Sequence, residues 1–255
     1  MSDIKPQRLE KLIEVIKKSK FSTVDQLCEI LNVSPCTIRR DLNLLEKSGD
    51  IKKFHGGALL NKNLTLPFYE REKIQVEAKR KIAQEAIKNI KDNNTLILDA
   101  GTTVARMAIE LEKVPNSNLT IITPTMNIAQ ILLGRNFKIL LSGGLLSMES
   151  DSLVGQLAID SFSKLRADIA FMSCESITDD FKVMYPDLEL MQIKKAVINS
   201  AVIKILLVDS SKFGKVSLST LGDLSLFDLL ITDDEIEKKY LKELEKRNIK
   251  FIVAR

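Results

Sequence analysis

The sequence predicts an α/β chain in two parts: a small helical unit closed by a β-hairpin, then a mostly parallel sheet covered by helices. Three observations carry this. The first sixty residues hold three helical patterns followed by IKKFHGGAL, two short β runs around Gly56-Gly57. From residue 95 onward, β-rich runs that are apolar on both faces alternate with helical segments. Between the two, NKNLTLPFY (61–69) follows neither pattern and reads as a linker. A length of 255 residues suits two domains, and 45% hydrophobic with 28% charged residues is a globular balance that excludes disordered and collagen-like classes.

The first helix places Leu9, Leu12, Ile13 and Ile16 on one face after Pro6. Ser22 or Thr23 can cap the second, which turns Val24, Leu27, Cys28 and Leu31 inward. After a turn at Asn32-Val33 comes SPCTIRRDLNLLEKSG, with Ser34 as N-cap, Pro35 at the first helical position and Gly49 as C′ glycine. Ile38, Leu42 and Leu45 share the core face of this third helix, whereas Thr37, Arg39, Arg40 and Asn43 project away from it. Asp41 is expected to orient an arginine or to close a pair on the helix surface.

A capped helix of this size fits the major groove, with its N-terminal residues approaching base edges. Arg39 and Arg40 each offer a guanidinium fork to guanine or phosphate, while Ser34 and Thr37 suit phosphate contacts. Cys36 faces DNA or is simply tolerated there. The hairpin reads as a wing that brings Lys52, Lys53 and His55 near the backbone. Adjacent arginines are also compatible with a solvated helix face; the third place in a trihelical unit, the caps and the basic hairpin favour DNA. Residues 1–60 hold eleven Lys/Arg against eight Asp/Glu, so most of the net charge of +4 sits here. RNA binding is disfavoured by a 5% aromatic content without Trp or a stacking motif.

Residues 70–91 carry Ile74, Ile82, Ala86 and Ile90 at helical intervals, which predicts one connecting helix. Strands follow at 95–99, 119–123, 137–142, 167–173, 202–209, 229–232 and 250–254, with helices at 103–112, 187–201 and 235–247. The boundaries are then 1–60 for the DNA-binding unit, 61–78 for the linker and start of the connecting helix, and 79–255 for the α/β unit.

LILDAGTTVARM (96–107) ends a strand, turns at Gly101 and starts a helix. The amides of that helix start, with the hydroxyls of Thr102 and Thr103, can hold an anion. Asp99 can accept hydrogen bonds from sugar hydroxyls at the strand end, where open α/β sheets bind ligands. TPTMN (123–127, with Thr125), SGG (142–144, with Gly143 and Gly144) and DSSKFG (209–214, with Lys212) are similar features after other strands. An ordinary βα turn explains each of them equally well when taken alone.

No apolar run reaches the ~20 residues of a membrane span, and the N-terminus lacks a secretory apolar core, so a cytoplasmic protein without membrane partners is expected. Cys28, Cys36 and Cys174 form no CxxC pair, and His55 is the single histidine. No metal, cofactor or disulfide framework is expected.

VSPCTIRRDLNLLEKSGDIKKFHGGA, above all TIRRDL at 37–42 and FHGGA at 54–58, resembles the signature of DeoR-type bacterial transcription regulators, and the resemblance covers almost the whole chain. It implies an N-terminal winged helix-turn-helix with 35–48 as recognition helix. It also implies a C-terminal sugar-phosphate sensor domain resembling ribose-5-phosphate isomerase and the acyl-CoA transferases. Phosphate or sugar contacts are implied near Asp99, Gly101, Thr102, Thr103, Gly143, Gly144, Lys194 and Lys212. The expected partners are double-stranded operator DNA and a small phosphorylated metabolite, in a homodimer or homotetramer that represses a carbohydrate-catabolism operon.

The chain departs from the family pattern in three places. Pro124 replaces an asparagine, FMSCESI (171–177) replaces a glycine-rich FIGADGI-like strand end, and KVMYPDLELM (182–191) replaces GLTTPDLEEA. Side chains at Ser173 and Ser176 stand where backbone could approach a ligand closely, and Met184, Tyr185, Leu190 and Met191 are expected to make the pocket rim apolar. The alternative function is a sugar-phosphate isomerase or transferase-like enzyme with an appended DNA-binding unit. Its base would be Asp99, Glu175 or Glu189, and the lost glycines and carboxylate argue against it.

Overall fold

Polar caps fix where the first helices begin. The computed structural model describes residues 4–19, 21–54, 57–60, 68–111, 113, 118–147, 150–186 and 188–255. It divides into two units, Met1–Leu64 and Thr65–Arg255. The first contains, among its described residues, α1 (Ile4–Ser19), β1 (Phe21–Thr23), α2 (Val24–Leu31), α3 (Pro35–Lys47), β2 (Ile51–Phe54) and β3 (Gly57–Leu60). Thr23 and Gln26 form a reciprocal capping box on α2, and Asn32 ends that helix in the left-handed conformation at φ 52°. Ser34 accepts from the Thr37 amide at 3.3 Å, and Pro35 opens α3. Leu12, Ile16, Leu27, Ile38, Leu42, Leu45, Ile51 and Ala58 form the core, with Cys28 packed at its edge.

The hairpin gains a strand that the sequence reading did not contain. β1 pairs antiparallel with β3, so the order is β1-β3-β2.

The second unit begins with α4 (Phe68–Glu72) and α5 (Val76–Ala86), and a 3₁₀ turn over Ile87–Asn89 follows. The single helix expected over 70–91 is therefore two. The break falls before Gln75, which takes a left-handed φ of 52°. Phe68 and Tyr69, expected in the linker, belong to α4, whereas 61–67 lie outside the described residues.

Then come β4 (Thr95–Leu98), α6 (Thr102–Leu111), β5 (Thr120–Thr123), α7 (Met126–Leu132), β6 (Lys138–Leu141), β7 (Leu145–Ser147), β8 (Ser152–Val154), α8 (Gln156–Ser163) and β9 (Ala167–Met172). The chain continues through β10 (Ser176–Ile177), β11 (Lys182–Tyr185), α9 (Leu188–Ser200), β12 (Ala201–Leu207), β13 (Ser219–Asp223), β14 (Leu229–Asp233), α10 (Lys238–Lys246) and β15 (Phe251–Ala254).

All seven strands expected from the sequence join one parallel sheet, in the order β15-β14-β12-β9-β4-β5-β6. Alternate residues enter opposite cores. Ile97, Ala170, Met172 and Leu206 meet α8, α9 and α10 on one face. Leu96, Leu98, Ile169, Phe171, Ile205 and Leu207 meet α5, α6 and α7 on the other. Burial on both faces is why these runs are continuously apolar. The β7–β8 hairpin and the antiparallel sheet β10-β11-β13 were not legible in the sequence.

Strand order places the functional edge. From β4 the chain steps to β5 and β6 on one side; β9 then pairs with the other side of β4, and β12, β14 and β15 follow outward. The winding reverses between β4 and β9, and ligands of such sheets bind beyond the carboxyl ends of the strands at that reversal. Asp99 follows β4, and Ser173 to Glu175 follow β9.

Candidate functional site

In the first unit α3 presents Ser34, Cys36, Arg39, Arg40 and Asn43 to solvent, with Thr37 half-buried behind the cap. Asp41 takes the first of its two expected roles. It is buried and receives Arg8 of α1, Nε at 2.5 Å and a second guanidinium nitrogen at 3.1 Å. It orients an arginine of another helix and closes no pair on the surface of α3.

Lys53 joins the hairpin to α3. Its ammonium donates to Asn43 and lies 3.3 Å from Glu46, while its amide donates to Glu46 at 3.0 Å. These bonds tie β2 to α3 and set the angle of the hairpin on the helix. His55 and the Lys52 side chain lie outside the described residues.

In the second unit the expected residues gather at the carboxyl ends of the strands. Gly101 supplies the carbonyl that starts α6, accepting from Ala105 at 2.9 Å, so the amides of the first turn point out of the helix start. The side chains of Thr102 and Thr103 are buried there. A Cβ at Gly101 would stand 1.9 Å from Oγ of Ser173, which explains the glycine. The Ser173 hydroxyl donates to the Ala100 carbonyl at 3.2 Å, so the wall of β9 closes directly on the turn. Gly143 and Gly144 follow β6 with φ of 74° and 117°. Thr125 is the N-cap of α7, accepting from Ile128 at 3.2 Å.

Asp99 and Lys194 meet at the centre. Nζ of Lys194 donates to Oδ2 of Asp99 at 2.6 Å and to the Ala100 carbonyl at 3.1 Å. Both side chains are buried, and Nζ stands 5.4 Å from the centre of the Tyr185 ring. Burial pushes the Asp99 carboxyl up and the Lys194 ammonium down, each opposed by the charge of the other. Oδ1 of Asp99 is a buried acceptor without a hydrogen-bond partner, which suits a ligand hydroxyl.

Lys212 pairs with Glu175 at 3.6 Å. The DSSKFG loop that carries it is internally tied: Asp209 accepts from Ser211, and Asp233 from the Ser210 amide and hydroxyl at 2.6 and 2.8 Å. The expected apolar rim is not one. Met184, Tyr185, Leu190 and Met191 are buried, the last three in the core against α8 and α9, and Tyr185 donates its hydroxyl to the Ser173 carbonyl at 2.7 Å. Ser176 is paired with Ser217 at 2.8 Å. Of the candidate bases, Asp99 and Glu175 are ion-paired and Glu189 is exposed on α9.

Arg71 and Lys79 carry no motif of their own in the sequence. Nζ of Lys79 is buried and donates to the carbonyls of Arg71 and of Ile74, the latter at 2.6 Å. Burial pulls Lys79 down to about 8, with Lys212 and Arg71 adding to the fall and Asp209 and Glu72 opposing it. Burial also lowers Arg71, against the carboxylates of Glu175 and Asp151.

Two family models match this arrangement: the DeoR-like helix-turn-helix domain over residues 8–63 and the DeoR C terminal sensor domain over 74–234. The chain belongs to the DeoR family. This DeoR-type regulator is 34% identical over 229 residues to the glycerol-3-phosphate regulon repressor of Escherichia coli K12, covering 89% of this chain and 90% of that one. It is 31% identical over 246 residues to the lactose phosphotransferase system repressor of Lactococcus lactis, covering 95% and 96%. Ribose 5-phosphate isomerase A of Methanocaldococcus jannaschii is a structural neighbour at a TM-score of 0.40 and 20% identity, over 55% of this chain and 56% of that one. The chain is a DNA-binding transcription regulator and not an enzyme, and it is the repressors among its relatives that exclude the isomerase reading. No described helix is long and apolar enough to cross a membrane.

Proposed function

We propose that this DeoR-type regulator represses an operon for the catabolism of a carbohydrate or a related polyol. Its affinity for the operator is set by a phosphorylated metabolite held at the β4–β9 reversal. In this reading residues 1–60 read DNA, 61–78 connect, and 79–255 sense. Ser34, Cys36, Thr37, Arg39, Arg40 and Asn43 face the operator, with Lys52, Lys53 and His55 beside the backbone. The phosphate sits on the amides and hydroxyls of Thr102 and Thr103, flanked by Gly101, Thr125, Gly143 and Gly144. The sugar or polyol hydroxyls reach Asp99, and Lys194 and Lys212 supply positive charge.

The observation that carries this is the joint presence at one sheet edge of an outward-facing helix start and the buried, unpartnered Oδ1 of Asp99. The names of the relatives, repressors of a glycerol-3-phosphate regulon and of a lactose phosphotransferase system, support the same class. The ligand acts by binding two states of the regulator unequally, and that difference appears in operator affinity. Operators read by such units are paired half-sites, so the functional species is a homodimer or a dimer of dimers.

A thermal-shift screen of sugar and polyol phosphates tests the reading. A ligand at a hundred times its Kd stabilises the folded state by about 2.7 kcal/mol, and Thr102→Ala should abolish the shift. A compound that stabilises wild type and Thr102→Ala equally would place its site elsewhere.

A further inference from the structure

Arg71 stands on α4, the helix that opens the second unit among the described residues. Phe68, on the same helix, is buried in the core cluster that holds Leu98 and Val104. Leu98 immediately precedes Asp99, and Val104 lies in the first turn of α6. α4 itself packs against α6, the helix whose start forms the anion turn. Its position is held from behind by Lys79, whose ammonium binds the carbonyls of Arg71 and Ile74. The guanidinium carbon of Arg71 lies 6.0 Å from the centre of the Phe68 ring. The carboxylates acting on it are Glu175, after β9, and Asp151, at the β7–β8 turn; its charge is felt at Lys194. Asp151 takes a left-handed φ of 54°, and its Oδ2 is buried without a hydrogen-bond partner.

We propose that Arg71 is a phosphate-binding residue of the effector site, reaching it from α4. The inference rests on the effector site proposed above and deepens it. Lys194 is engaged by Asp99, and Lys212 by Glu175. Arg71 adds a planar fork matched to two phosphate oxygens, which a point-charge ammonium is not. A phosphomonoester dianion on the α6 helix start draws the guanidinium from Glu175 and Asp151 onto its own oxygens. Since α4 lies at the entry to the second unit, the same contact restrains the helix nearest in sequence to the DNA-binding unit.

The test uses the full-length chain, with sn-glycerol 3-phosphate, a hexose 6-phosphate and inorganic phosphate as probes. Thermal-shift titrations are run on wild type, Arg71→Ala, Arg71→Lys and Thr102→Ala, with amide exchange followed over residues 68–74. A probe that binds wild type should bind Arg71→Ala at least ~10-fold more weakly and Arg71→Lys at an intermediate level. It should slow exchange in α4 of wild type and leave α4 of Arg71→Ala unchanged. If Arg71→Ala binds as wild type does while Thr102→Ala does not, the role of Arg71 is overturned and the effector site stands. If no probe shifts wild type, the phosphate reading itself fails, and the role of Arg71 fails with it. Should Arg71→Ala not fold, Arg71→Lys and the exchange of wild-type α4 decide the matter.

Discussion

Nζ of Lys194 lies 2.6 Å from Oδ2 of Asp99, and neither side chain is more than 1% exposed. A charge pair so buried sits at the meeting point of α9 and β4, at the site where the ligand is proposed to bind. Taking either partner away leaves the other charged in an apolar setting. Lys194→Met or Asp99→Asn should therefore cost about 3–5 kcal/mol in urea unfolding followed by circular dichroism. The double variant Asp99→Leu/Lys194→Met should recover most of that loss. Additive losses in the double variant would show that the two residues do not act as a pair.

Gly101 and Ser173 form a second coupled pair. A methyl group at 101 collides with the Ser173 hydroxyl, 1.9 Å away. Gly101→Ala should cost about 1–3 kcal/mol by overpacking. Ser173→Gly, which removes the colliding oxygen, should restore much of that stability in the double variant. Equal melting temperatures for Gly101→Ala and the double variant would refute the contact.

On the DNA-binding helix, neighbours 40 and 41 should behave oppositely. Arg40 is exposed and Asp41 is buried against Arg8. Arg40→Ala should weaken specific operator binding by ~1–3 kcal/mol with an unchanged melting temperature, read by fluorescence anisotropy at fixed salt. Asp41→Ala should lower the melting temperature of the first unit, because it leaves the Arg8 guanidinium without its partner. Full operator affinity in Arg40→Ala would remove α3 from the role of recognition helix.

Lys79 makes the stability of the second unit depend on pH. Its folded-state value, about 8, lies below the ordinary 10.5 of lysine, so the unfolded chain binds the extra proton between those values. Stability should then rise as pH increases through 8, by about 1 kcal/mol between pH 7 and pH 9. Lys79→Met removes this contribution, so the gap between wild type and variant in urea midpoint should change over that window. A constant gap would mean that Lys79 titrates normally.

Leu141, Leu145, Leu146 and Leu157 are exposed around the β6 edge of the sheet. They belong to one neighbourhood: β7 pairs with β8, and Ser161 of α8 donates to the Ser142 carbonyl at 2.5 Å. Isolated exposed leucines are ordinary, but a cluster beside a strand edge that is unpaired among the described residues suits a contact between two copies of the chain. Leu145→Glu/Leu157→Glu should shift sedimentation to a smaller species and weaken operator binding. An unchanged sedimentation coefficient would show that these leucines hold no second copy of the chain.

The parts of the fold that were legible are those where one local signal decides. Seven apolar runs gave seven parallel strands, because burial on both faces leaves no polar alternation to confuse with a helix. Ser34, Pro35 and Gly49 marked the ends of α3, because capping is chemistry within a few residues. What stayed hidden depends on contacts distant in sequence. The arginine that Asp41 orients is Arg8, 33 residues away on α1, which no local pattern names. Met191 looked like a pocket rim because the helical period cannot tell which apolar stripe faces the sheet. β10 has two residues, and β13, STLGD, is no apolar run, so neither carries the signal that marks the parallel strands. The break that ends α4 falls near Gln75, a left-handed residue that no glycine announced, and Lys79 bonds the carbonyls of Arg71 and Ile74 on its far side.

The reversal between β4 and β9 has a consequence for how such a protein can change its chemical preference. Ser173 and Ala100 touch across the crevice but are 73 residues apart in the chain. One bank, Asp99 to Thr103, is a short continuous grip for charge; the other, Ser173 to Glu175, is written in a separate passage of sequence. The two banks meet where Gly101 and Ala100 touch Ser173, and apart from that contact each is set by its own passage of sequence. Within the proposed effector site, substitutions at 174–176 should therefore retune which metabolite is admitted and leave the phosphate grip at Thr102 and Thr103 in place.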